Sequence, residues 1–256
     1  MEKTWRWFGP NDKITLPMLR QIGVEGIVTS LHHVPNGEVW TLDEVNRMKD
    51  YIESHGLRWS VVESLPVSES IKYGGPDRDE LIARYIESLE NLGKAGVRTI
   101  CYNFMPVLDW ARTDLEYPNP YGTSNLYFNR AEFAYFDIHI LRRQGAEADY
   151  DSATLERMER IKADMTPEGE HRLVENIIVK PQGFVNGNIS EDDRTPVETF
   201  RRLLDLYKGI DREVLRANMK YFLEAIMPVC NRYDINMCVH PADPPLQIIG
   251  LPRIVT

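Results

Sequence analysis

Three times in its first hundred residues this sequence repeats one unit: a short apolar run, a polar loop, and an amphipathic helix that stops at a glycine. Thr4 to Phe8 opens the series as a strand, and Ile14 to Ile22 follows as a helix with Gly23 as its C′ residue. Gly26 to Leu31 is the second strand. Leu42 to His55 is the second helix, with Thr41 as N-cap, Glu44 completing a capping box and Gly56 ending it. Leu57 to Leu65 is the third strand, Asp79 to Ala95 the third helix before Gly96, and Val97 to Phe104 the fourth strand. Strands that alternate with helices over short connections must run parallel, joined by right-handed crossovers. Nearly continuous apolar strands predict a sheet covered on both faces. No strand is followed by Gly-x-Gly-x-x-Gly or Gly-x-x-x-x-Gly-Lys-Ser/Thr, which disfavours a nucleotide-binding doubly wound sheet.

The repeat breaks after Phe104. Asp109 to Asn129 is irregular and aromatic-rich. Helical patterns then cover Arg130 to Arg143, Ser152 to Ala163, Pro167 to Ile178 and Pro196 to Tyr207, with the Gly- and Asn-rich stretch Lys180 to Thr195 reading as loop. The insertion, residues 108–210, has the length of a lid or subunit-contact region; a structural buttress fits it equally. Arg212 to Tyr233 is a long helix containing Pro228, whose Met219, Phe222, Leu223, Ile226 and Met227 fall at core spacing. Ile235 to His240 is a fifth strand, followed by Pro-Ala-Asp-Pro-Pro245. A (β/α)8 barrel needs eight strands. An open five-stranded sheet is conceivable, but its edges would need protection; residues 1–256 read as a single partial barrel domain, interrupted before closure.

Hydrophobic residues make up 43% of the chain and charged residues 27%, as in ordinary globular proteins, and the formal charge of −9 argues against a nucleic-acid partner. Three cysteines, Cys101, Cys230 and Cys238, are too few for a disulfide framework and suit a reducing compartment. The first residues lack the apolar core of a secretory signal, and no run approaches the roughly 18 apolar residues of a membrane span. These features point to a cytoplasmic protein without a membrane partner.

Active sites of parallel barrels lie at the C-terminal ends of the strands. Arg6, His32, Glu63, Asn103 and His240 gather there. Arg6 can fork onto a ligand carboxylate or form an internal ion pair, with Glu63 as its partner. Glu63 can otherwise orient a ligand or bind a hydroxyl. Asn103 can hold a hydroxyl or carboxylate oxygen, or cap local backbone. His32 and His33 are adjacent, so their side chains diverge; one can face the pocket while the other packs on the loop. His240 ends an apolar strand before a rigid loop, which suits either a ligand to Mn2+, Fe2+ or Zn2+ or a histidine bonded to that loop. Cys238 shares its face one layer deeper, where a packed core thiol is expected. His55 precedes a helix-ending glycine and reads as a partner for the helix C-terminus.

The runs Trp5-Arg6-Trp7-Phe8-Gly9-Pro10, Leu31-His32-His33-Val34-Pro35-Asn36-Gly37-Glu38-Val39-Trp40, Trp59-Ser60-Val61-Val62-Glu63-Ser64-Leu65-Pro66-Val67, Cys101-Tyr102-Asn103-Phe104-Met105-Pro106-Val107-Leu108-Asp109-Trp110 and His240-Pro241-Ala242-Asp243-Pro244-Pro245 resemble the mannonate dehydratase family. The resemblance implies an α/β fold, a TIM barrel of the xylose-isomerase-like type of which about five strands are present. It implies a metal-dependent hydro-lyase using Mn2+ or Fe2+, which dehydrates D-mannonate to 2-keto-3-deoxy-D-gluconate in hexuronate (glucuronate) catabolism. It implies His240 as a metal ligand, and a homo-oligomer. Family members often carry Asp where Ala242 stands here, and they extend by roughly a further third, which holds the remaining metal ligands and the acid/base residues. The catalytic residues are therefore expected outside these positions, and Arg6, His32, Glu63 and Asn103 are expected to bind substrate. Another metal-dependent sugar isomerase or epimerase of the same barrel class, or an inactive fragment serving as a binding or assembly module, are the competing expectations.

Overall fold

The computed structural model describes residues 1–181, 189 and 192–256; most of the stretch read as loop at Lys180 to Thr195 lies outside the described residues. The chain divides into two compact units, one of residues 1–104 and 213–241, the other of residues 105–212 and 242–256.

The first unit contains all five strands expected from the sequence: β1 (Thr4–Arg6), β2 (Gly26–Thr29), β3 (Arg58–Val62), β4 (Thr99–Tyr102) and β7 (Asn236–Val239). They form one parallel sheet in the order β1-β2-β3-β4-β7. Helices α1 (Leu16–Gln21), α2 (Leu42–Ser54), α4 (Arg78–Lys94) and α9 (Arg212–Tyr233) match the expected ones, and a short α3 (Glu69–Tyr73) was not anticipated. The glycine stops hold: Gly23, Gly56 and Gly96 have φ of +87°, +72° and +81°, where a side chain would be strained. Thr41 Oγ1 accepts from the Glu44 N–H, as an N-cap does. The Glu44 carboxylate goes instead to His33 and Arg47, so the expected capping box gives way to a surface ion cluster. His55 caps α2, its Nδ1 donating to the Tyr51 carbonyl at 2.8 Å.

Period-two alternation divides the sheet. Ile27, Val62, Ile100 and Tyr102 point to one face and are buried. Phe222 of α9 meets Tyr85 of α4 at 5.0 Å, Tyr102 at 6.0 Å and Phe104 at 5.8 Å between ring centroids, closing that face with an aromatic cluster. The expectation of a sheet covered on both faces is corrected here. Arg6, Val28, Val61, Glu63, Thr99, Cys101, Asn103 and Cys238 occupy the other face and are only half-buried.

In the second unit the irregular stretch contains an antiparallel hairpin, β5 (Asp114–Pro118) with β6 (Ser124–Tyr127). The helix expected over Arg130 to Arg143 is α5 (Arg130–Tyr135) continued by a π turn, Phe136–Ile140. Asp137 in that turn is fully buried and is held by Arg143 through two hydrogen bonds, of 2.9 and 2.7 Å, and by the Tyr150 hydroxyl at 2.9 Å. A second π turn, Glu175–Val179, continues α7 (Pro167–Val174); α6 (Ser152–Asp164) precedes α7 and α8 (Pro196–Asp205) follows it. Among the described residues no helix is long and apolar enough to cross a membrane.

Phe222→Ala empties the centre of the aromatic cluster. It should cost about 3–5 kcal/mol, measured by urea denaturation; a loss below about 1 kcal/mol would show that this face repacks freely.

Candidate functional site

The half-buried face of the first unit's sheet brings the sequence-identified residues together. Parallel pairing aligns Arg6 with Val28, Val28 with Val61, Val62 with Ile100, and Cys101 with Cys238. Backbone pairing continues past the strand ends: the Glu63 N–H donates to the Thr29 carbonyl at 3.0 Å, Leu65 to Cys101 at 3.1 Å, and His240 to Tyr102 at 2.9 Å. These bonds carry the ladder to the residues that hold the polar groups, so each side chain leaves the sheet from a fixed backbone.

Arg6 Nε lies 3.9 Å from Glu63 Oε2, with the guanidinium 5.2 Å from the Phe8 ring centroid. The pair is long and partly solvated. Burial lowers the Arg6 pKa, and the negative charge of Glu63 partly restores it. His32 emerges past β2, its ring close to Gly9, where an added Cβ would lie 3.9 Å from His32 Cδ2. His33 points elsewhere, into its bond with Glu44. Of the two histidines, only His32 joins the strand-end group by this contact to the β1 loop. Asn103 follows β4 and is half-buried.

Two residues of this face were assigned no role from the sequence. Cys101 sits beside Arg6, Glu63 and Cys238; burial, the Cys238 thiol and the Glu63 carboxylate push its pKa up to about 11. Cys238 is half-buried, not packed into the core as expected, because the face it shares is not fully covered. Period-two alternation had placed Cys238 on this face; the same count from Asn103 finds Cys101.

His240 follows β7. Its Nδ1 lies 2.8 Å from the Pro241 carbonyl, which can only accept, so Nδ1 carries the proton and Nε2 presents a lone pair. That arrangement fits one ligand of a divalent metal. Among the described residues, no three His, Cys, Asp or Glu side chains come together to complete such a site.

The loop after His240 is anchored within the second unit. Arg112 forks onto Asp243 at 2.9 and 2.7 Å, the Ala111 N–H donates to the Asp243 carbonyl at 3.1 Å, and the Ala242 N–H donates to the Val255 carbonyl at 2.7 Å. Ala242 is buried. Arg253 is fully enclosed nearby; burial lowers its pKa to about 10 against the opposing charges of Asp109 and Asp243. These anchors were not anticipated, since nothing in local spacing links Arg112 to Asp243.

Arg112→Lys keeps the charge and loses the two-bonded fork. It should cost about 1–2 kcal/mol in chemical denaturation; unchanged stability would mean that the fork does not hold this loop.

The family model "D-mannonate dehydratase (UxuA)" matches residues 1–256. A mannonate dehydratase of Marinomonas sp. is 47% identical over 256 residues, which is all of this chain and 64% of that relative. One of Chromohalobacter salexigens is 45% identical over the same span and again 64% of the relative. The chain thus spans a little under two-thirds of the curated relatives it matches. The crystal structure of mannonate dehydratase from Streptococcus suis serotype 2 superposes with a TM-score of 0.70 at 33% identity, covering 100% of this chain and 58% of that one.

Proposed function

This chain belongs to the D-mannonate dehydratase (UxuA) family, and we propose that its half-buried strand-end face binds a sugar acid for metal-assisted dehydration. The substrate is D-mannonate and the product 2-keto-3-deoxy-D-gluconate, formed by removing the C2 proton and expelling the C3 hydroxyl as water. The observation that supports this reading is the placement of Arg6, Glu63, Asn103 and His240 along one face of a parallel sheet at its C-terminal edge, where such folds carry their chemistry.

In this reading Arg6 grips the carboxylate. Its planar guanidinium is the group that holds a carboxylate through two parallel hydrogen bonds. Glu63 keeps Arg6 charged and can accept from a substrate hydroxyl. His32 and Asn103 hold further hydroxyls of the polyol chain. His240, its Nδ1 proton committed to Pro241, offers Nε2 to Mn2+ or Fe2+. When bound, such a cation stabilises negative charge developing next to the substrate carboxylate. The described residues supply no complete metal cluster, and we assign no proton transfer to any of them.

We also read the five-stranded sheet as part of a (β/α)8 barrel of the xylose-isomerase-like type, with residues 108–210 as a lid or subunit-contact insertion and the working enzyme as a cytoplasmic homo-oligomer in glucuronate breakdown.

The test is turnover of D-mannonate with added Mn2+, followed by appearance of the keto-deoxy acid, in this 256-residue chain and in a chain of the relatives' length. The longer chain should be active. Arg6→Ala in it should lower kcat/KM about ten- to hundredfold, the worth of a charge-assisted hydrogen bond. His32→Ala, Glu63→Ala and Asn103→Ala should each lower it as well. A longer chain without this activity would contradict the substrate; unchanged kinetics in all four variants would contradict the assigned binding face.

A further inference from the structure

The first unit carries a pair of thiols that the proposed chemistry does not use. Cys101 of β4 and Cys238 of β7 are direct register partners on neighbouring parallel strands. Register partners in a parallel pair point to the same face, and neighbouring strands lie about 4.8 Å apart. A disulfide spans Cα separations of roughly 4.4–6.8 Å, and the spacing of neighbouring strands falls within that range. Both residues are half-buried, on the face that the helices do not cover, so a small solute can reach them. The third cysteine, Cys230, is buried on α9 and is an internal control. All three thiols are free.

We propose that Cys101 and Cys238 form an oxidative modification site, closing to a cross-strand disulfide when the folded chain meets a hydroperoxide. The reaction balances with that oxidant alone. One thiol sulfur attacks a peroxide oxygen; an S–O bond forms, the O–O bond breaks, and the departing oxygen leaves as water with the proton that the thiol gives up. The second sulfur then attacks the resulting sulfenic acid; the S–S bond forms, the S–O bond breaks, and a second water leaves. Two thiols are oxidised by two electrons in all and one hydroperoxide is reduced. The bridge ties β4 to β7 beside Glu63 and two residues before His240, which places a redox-dependent crosslink in the strand-end face. The inference stands on the geometry of the two strands and does not depend on which substrate that face binds.

The test treats the folded chain with hydrogen peroxide, removes the excess with catalase, then unfolds it in iodoacetamide and maps the cysteines by mass spectrometry. Alkylatable thiols should fall from three to one, Cys230 remaining, with the mass of two hydrogens lost from the linked Cys101 and Cys238 peptides. Dithiothreitol should restore all three. Cys230→Ser should bridge like the parent, while Cys101→Ser and Cys238→Ser should stop at a sulfenic acid trapped by dimedone. Full alkylation of Cys101 and Cys238 after treatment, sulfinic acid on either without a bridge, or crosslinks only between chains would each overturn the proposal. The parent-chain measurement decides the matter even where a variant fails to fold.

Discussion

The structure depends on parallel pairing between strands far apart in the sequence. β4 meets β7 across more than a hundred residues, and their register, Thr99 with Asn236 through Tyr102 with Val239, decides which side chains share a face. A slip of β4 by one residue would turn Cys101 and Asn103 towards the helices and bring Ile100 and Tyr102 to the open side. Burial opposes that slip: Ile100 is fully buried, Tyr102 and Phe104 pack on Phe222, and exposing them would forfeit about 1.5–3 kcal/mol for each large apolar side chain. The apolar face thus fixes the position of the polar one.

The polar face is tuned by partial burial. Full burial would demand complete pairing of Arg6 and Glu63, because an uncompensated buried charge is costly. Full exposure would let water screen them. At 23% and 35% side-chain exposure the pair lies between these limits. The same environment pushes the Cys101 thiol upward and keeps it protonated beside a carboxylate. Within the second unit, the Ala242-Asp243 segment has its own support in the Arg112 to Asp243 fork and the Ala242 to Val255 bond.

Much of this was legible in the sequence because local chemistry announces it. Gly23, Gly56 and Gly96 mark helix ends through their need for positive φ, and the apolar runs between them became the strands of the sheet. Long-range membership was visible only through extended runs such as Cys101 to Trp110. What stayed hidden is what local pattern does not encode. The hairpin of Asp114–Pro118 and Ser124–Tyr127 is largely exposed and lacks apolar alternation, so it read as irregular. The π turns leave the helical periodicity almost intact, and only contacts such as Asp137 with Arg143 reveal them. Coverage of just one sheet face could not be read from strands whose composition fits two covered faces. The thiols of Cys101 and Cys238 became neighbours only when β4 and β7 paired.

The claim on which the rest turns is that the strand-end face is where a sugar acid binds. The most direct measurement is an NMR titration of the isotope-labelled chain with D-mannonate in the presence of Mg2+. The Arg6 Nε–H, the Asn103 side-chain amide and the His240 ring should shift together, while signals of Phe222 and Tyr85 on the covered face stay in place. Shifts confined to other regions, or none at concentrations that saturate a weak site, would contradict it.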